Sequence, residues 1–136
     1  MTPPRPHFPP SALRFLRALA RNNDRAWFRS RKPEFERDVR EPLVAIIEQL
    51  DRDFREFVPD HIASPKVSVF RIYRDTRFSA DKSPLKSAVS AVFPHRALGK
   101  MTGASLYLEL SAKRLLLAAG VYAPTSSELR AIRQHV

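Results

Sequence analysis

Ser105-Leu106-Tyr107-Leu108-Glu109-Leu110 alternates without a break, with the leucines on one side and Ser105, Tyr107 and Glu109 on the other. A period of two sustained in this way marks a half-buried strand of an antiparallel sheet. Just downstream, Ala112 and Lys113 make a short turn into Arg114 to Tyr122. The run Leu115-Leu116-Leu117-Ala118-Ala119 within it has no polar break, which predicts a strand at the centre of the sheet. Upstream, Ser87 to Phe93 and Lys66 to Tyr73 carry Val, Phe, Ile and Tyr and predict two more strands. The expected sheet therefore has about four strands, mostly antiparallel. Pro124 ends the last of them, and Thr125 or Ser126 caps a closing helix running into Val136.

Further upstream the period becomes helical. Ser11 is an N-cap for a helix through Ala20, with Ala12, Phe15, Leu16 and Leu19 on its apolar face and Arg14, Arg17 and Arg21 on the opposite side. Asn22 and Asn23 break that helix, and Asp24 caps a short one bearing Trp27 and Phe28 before Pro33. From Glu34 on, Phe35, Val39, Leu43, Ile46, Ile47, Leu50 and Phe54 recur at intervals of three and four. Pro42 interrupts this stripe and predicts either a kink or a joint between two helices at Glu41 and Pro42. Helices followed by strands is the order of an α+β domain, here residues 11–136 as one unit of helices packed on the sheet, after a proline-rich segment over residues 1–10. The closing helix has nothing after it to cover Leu129, Ile132 and Val136, so the chain is expected to be the front part of a longer protein.

Composition narrows the chemistry. The 136 residues include no Cys, which excludes disulfides, thiolate nucleophiles and Cys-ligated metals. His7, His61, His95 and His135 lack metal-ligand spacing, and Gly99 and Gly103 form no phosphate-binding loop. No Gly-x-Ser-x-Gly elbow occurs. No apolar run approaches the roughly 18 residues of a membrane span, and the start lacks the apolar region of a signal peptide. A cytoplasmic location and no membrane partner are the expectations. Twenty-four Lys and Arg against 14 Asp and Glu give a net charge of +10, which points to an anionic partner. The excess is patchy: residues 34–60 are acid-rich, whereas Pro65 to Lys100 carries eight basic residues against Asp75 and Asp81.

Within that basic stretch, Phe70 to Lys86 joins two expected strands and holds the candidate site: Arg71, Arg74, Asp75, Arg77, Ser79, Asp81, Lys82 and Lys86. Forked guanidinium donors suit phosphate or carboxylate, and the carboxylates hold those donors in place. In an extended chain Arg71, Tyr73 and Asp75 share one face and Arg74 the other, so Arg71 and Arg74 meet one ligand only if the strand ends between them. Asp81, Ser83 and Pro84 fit an Asx-type turn. The favoured function is binding of a phosphate-bearing or other anionic small molecule, with hydrolase or transferase chemistry as its extension. One alternative is a nucleic-acid-binding module using the arginine row of the first helix. Another is a structural motif whose charges pair internally and pin the connection to the sheet. Asp75 and Asp81 alone bring too few ligands to assign a metal, and no catalytic residue, cofactor or oligomeric state is assigned.

The same stretch carries a resemblance. Arg71-Ile72-Tyr73-Arg74-Asp75-Thr76-Arg77-Phe78-Ser79, followed by Asp81-Lys82-Ser83-Pro84, resembles the signature of an uncharacterised, mainly bacterial family, the domain of unknown function 2461. The likeness extends through Phe15-Leu16, Asn22-Asn23-Asp24-Arg25, Trp27-Phe28, Lys32 and Pro42-Leu43 upstream. Downstream it takes in Tyr107-Leu108, Gly120-Val121, Pro124, Leu129 and Ile132-Arg133. Leu85 stands where that family usually has Tyr, and Ser87 where Thr is common, which bears on ligand identity. The resemblance implies an α+β domain with a shared polar site and a chain that continues beyond this one, and it implies no particular reaction.

Overall fold

The computed structural model describes residues 2–100 and 102–136; Met1, the first residue of the proline-rich segment, lies outside the described residues. Helix α1 spans Pro10–Arg21 and buries Ala12, Phe15, Leu16 and Leu19, while Arg14, Arg17 and Arg21 are exposed. Its cap position is Pro9 rather than Ser11, because Pro10 occupies the first turn, where a fixed φ and a missing N–H cost nothing. Asp24 caps α2 (Arg25–Ser30) by accepting from the Trp27 N–H. Helix α3 (Lys32–Phe35) runs through a π-helical turn, Glu36–Arg40, into α4 (Glu41–Phe57). The joint expected at Glu41 and Pro42 is thus present, with helical backbone angles carried through it. The wider turn lies where Pro42 has no N–H to give the carbonyl of Asp38 and where its ring would crowd that carbonyl.

Strands β1 (Ala88–Phe93), β2 (Ala104–Ser111) and β3 (Leu115–Val121) form an antiparallel sheet in the order β1-β2-β3, with Leu108 opposite Ala91 on one side and Leu117 on the other. The central strand is therefore β2. Residues 114–122 supply an edge strand, and Leu117 is 69% exposed. An apolar run without a polar break reads as buried on both faces, but β3 has a partner on one side only and helices over little of its length.

The expected strand Lys66 to Tyr73 is also not regular, which leaves three strands among the described residues rather than about four. Pro65 opens a single helical turn, α5 (Pro65–Ser68), and the chain then meets β1 and its approach at isolated bridges, Val69 with Ala91 and Tyr73 with Leu85. Between them the Phe70 N–H donates to Ser90 and the Lys86 N–H to Ile72. Two steps on one arm, 70 to 72, thus face four on the other, 86 to 90. That bulge breaks the ladder and bends the arm away from a regular strand.

Helices α1 and α4 cover the inner face of β1 and β2. Phe15, Leu16, Leu19, Phe28, Phe35, Val39, Leu43 and Ile47 meet Val89, Ala91, Phe93, Leu108 and Leu110 there. Each large side chain so buried contributes about 1.5–3 kcal/mol. The outer face of the sheet carries the alternate positions Ser90, Val92, Ser105, Tyr107, Glu109, Ala118 and Gly120. Helix α6 (Ser126–Gln134) starts with a capping box between Thr125 and Glu128, and none of its residues is buried. Among the described residues no helix is long and apolar enough to cross a membrane.

Candidate functional site

The hairpin loop 74–84 folds its charges onto one another. The Arg74 guanidinium donates to Asp81 Oδ2, and Ser79 Oγ lies 3.4 Å from Arg74 Nη2. The other Asp81 oxygen accepts the Ser83 N–H at 2.9 Å and the Ser83 hydroxyl at 2.6 Å, the Asx turn expected from the sequence. Those two bonds, with Arg74 behind them, hold the Asp81 carboxyl well below the usual carboxylate range. Asp75 takes both arms of the Arg77 fork, Nε at 3.0 Å and Nη2 at 2.7 Å, and the Arg77 backbone N–H as well. The fork, with the backbone bond, depresses its pKa too. Lys82 Nζ donates to the Thr76 carbonyl at 2.7 Å. Six of the eight expected site residues, Arg74, Asp75, Arg77, Ser79, Asp81 and Lys82, therefore spend their polar groups inside the loop. Such exposed pairs add little stability, but they fix the loop's shape.

Arg71 and Lys86 are different. Among the described residues neither has a carboxylate within ion-pair distance, and Asp75 feels Arg71 only through space. A third cation joins them, Lys100, from the connection between β1 and β2. Lys100 Nζ lies 4.4 Å and Lys86 Nζ 5.4 Å from the centroid of the Phe70 ring. Partial burial, with the charges of Arg71 and Lys100 nearby, lowers the pKa of Lys86. Like charges are thus gathered over one aromatic ring at the edge of β1. Sequence reasoning missed Lys100 because it joins the others through strand pairing and not through spacing; its only local signal was a basic residue in a glycine-bearing turn.

Other candidates resolve into packing. The Trp27 ring lies 5.7 Å from that of Phe15, with the Arg31 guanidinium 5.2 Å from its centroid, and it packs against the core as an anchor. His61 and His95 meet edge to face at 5.5 Å. Among the described residues no group of three or more His, Asp or Glu gathers as metal ligands would.

No curated protein and no solved structure matches the chain. A family model does: the one described as "Conserved hypothetical protein (DUF2461)" matches residues 11–136, everything but the proline-rich start, so the chain belongs to the DUF2461 family.

Proposed function

We propose that this domain binds an anionic ligand, phosphate-bearing by preference, at Arg71, Lys86 and Lys100. One observation carries the proposal: two ammonium groups share the Phe70 ring beside Arg71, and among the described residues no carboxylate is within ion-pair distance of any of the three. Cations gathered without a counter-charge repel one another and cost folding free energy, and a bound anion reverses that cost. Arg71 offers a planar fork, and the two lysines offer mobile point charges, a combination that suits the tetrahedral oxygens of phosphate. The paired loop 74–84 is the stiff frame that holds Arg71 and Lys86 at the two arms of its hairpin. Binding is the whole of the proposal, since Ser79 Oγ faces the Arg74 guanidinium, a donor and not a base.

The test is a titration of the full chain with inorganic phosphate at low salt, followed by backbone amide NMR. Saturable shifts at Phe70, Lys86 and Lys100 are expected, and they disappear in Lys86→Met/Lys100→Met, whose melting temperature does not fall below that of the parent. Absence of saturable shifts in the parent, or equal affinity in the double variant, refutes the proposal. Shifts centred instead on Arg14, Arg17 and Arg21 of α1, and elicited by oligonucleotides only, transfer the function to a nucleic-acid surface.

A further inference from the structure

The outer face of the sheet beside these cations is buried along β1, at Ser90 and Val92, and open along β3, at Ala118 and Gly120. Phe70 joins that face because its N–H donates to Ser90, and Ser90 sits on the outer side of β1. Across from Phe70 stand Tyr107 of β2 and Tyr122 at the end of β3, and Val92 lies between them. The strand beneath changes character at this point: after Leu115-Leu116-Leu117 come Ala118, Ala119 and Gly120. Ala118 is opposite Tyr107 and Gly120 opposite Ser105, so the small residues fall where an outward leucine would fill the space. A Cβ added at Gly120 would meet nothing within 4 Å. The result is a slot of about 340 Å³ with aromatic walls, a small-residue floor and Lys100 in its lining. The Tyr107 hydroxyl donates to Glu109 Oε2 at 2.8 Å, which fixes one wall.

We infer that the ligand of this site carries a flat aromatic ring, which lies in this slot while its anionic group sits on Lys100 and Lys86. The inference rests on the anion site proposed above and names the ligand class. The shape selects the ring: faces and edges of Phe70, Tyr107 and Tyr122 offer stacking to a planar group, and the floor of Ala118 and Gly120 gives it depth. The charge selects the substituent, since Lys100 belongs both to the slot and to the cation group over Phe70. The larger cavity, about 770 Å³ between α4 and the inner face of β2 and β3, has no Lys or Arg in its lining and does not meet the second condition.

Three probes test this on the full chain: inorganic phosphate, phenyl phosphate and phenol. In the parent, phenyl phosphate is expected to bind about tenfold more tightly than phosphate, shifting the ring resonances of Tyr107 and Tyr122, which phosphate alone leaves in place. Gly120→Val fills the floor with a strand-favouring residue and is expected to cancel the advantage of phenyl phosphate while phosphate affinity stays the same. Lys100→Met is expected to weaken both anions. Equal affinities in the parent, or an advantage that survives in Gly120→Val of unchanged melting temperature, overturn the inference and leave the anion site standing. Should Gly120→Val fail to fold, the Tyr107 and Tyr122 ring shifts in the parent decide. Binding of phenol together with failure of both anions overturns the anion site and this inference with it.

Discussion

The side-chain amide of Asn23 pairs with both backbone polar groups of Leu85: its Nδ2 donates to the Leu85 carbonyl at 2.7 Å and its Oδ1 accepts the Leu85 N–H at 3.0 Å. Asn23 thus acts as one residue of an adjoining strand, tying the break after α1 to the hairpin arm 62 residues away. Leu85 is bridged to Tyr73 as well, and its side chain is buried in the core.

Replacing Asn23 by Ala leaves two part-buried backbone groups of Leu85 without their partner. A loss of about 2 kcal/mol is expected, read from urea unfolding. A cost below about 0.5 kcal/mol would show that water replaces the amide freely and that the tie is incidental.

Acid should loosen the hairpin loop. Asp75 and Asp81 have folded pKa values depressed below their unfolded ones, so their favourable contribution is present above the unfolded value, about 3.9, and is lost as pH falls through the folded values. Urea midpoints measured from neutral pH downward should decline below about pH 4, and the decline should be shallower in Asp81→Asn. An unchanged acid limb in that variant would show that Asp81 contributes nothing to the pH dependence.

Lys86 has the opposite sense. Its folded pKa is depressed, so its charge is penalised at neutral pH and the penalty is relieved as pH rises through the folded value. Lys86→Met is therefore expected to raise the melting temperature at neutral pH while it weakens phosphate binding, a trade of stability for function. A fall in melting temperature would show that its contact with Phe70 outweighs the cost of its burial and of the neighbouring charges.

The two leucines paired across the middle of the sheet should respond very differently. Leu108→Ala, in the core on β2, is expected to cost about 2–5 kcal/mol, and Leu117→Ala, opposite it on β3, less than about 0.5 kcal/mol. Similar costs measured by urea unfolding would mean that β3 is covered in solution.

Helices α1 and α4 and the central strand were legible because one face of each is buried, so their periods survive in the sequence. Residues 105–110 alternate for that reason, and Phe35 to Phe54 recur at helical spacing. The rank of β3 was not legible, since an apolar run does not reveal which faces find a partner. The bulge that breaks the arm 66–73 was hidden too, because it depends on how 86–90 pairs with it. At the site, the motif gave the charges but not their partners. Arg74 with Asp81 and Arg77 with Asp75 are local pairs, and any of several pairings would have suited the same spacing. Lys100 and Asn23 reach their positions through strand pairing and a contact across 62 residues, which no local pattern encodes.

The most direct measurement is an NMR pH titration of the Lys86 side-chain amine in the intact chain, with and without inorganic phosphate. If Lys86 is partly buried with the charges of Arg71 and Lys100 beside it, it titrates below the ordinary lysine value of 10.5, and phosphate binding at this group moves it upward. Titration at the ordinary value, unmoved by phosphate, would contradict the account.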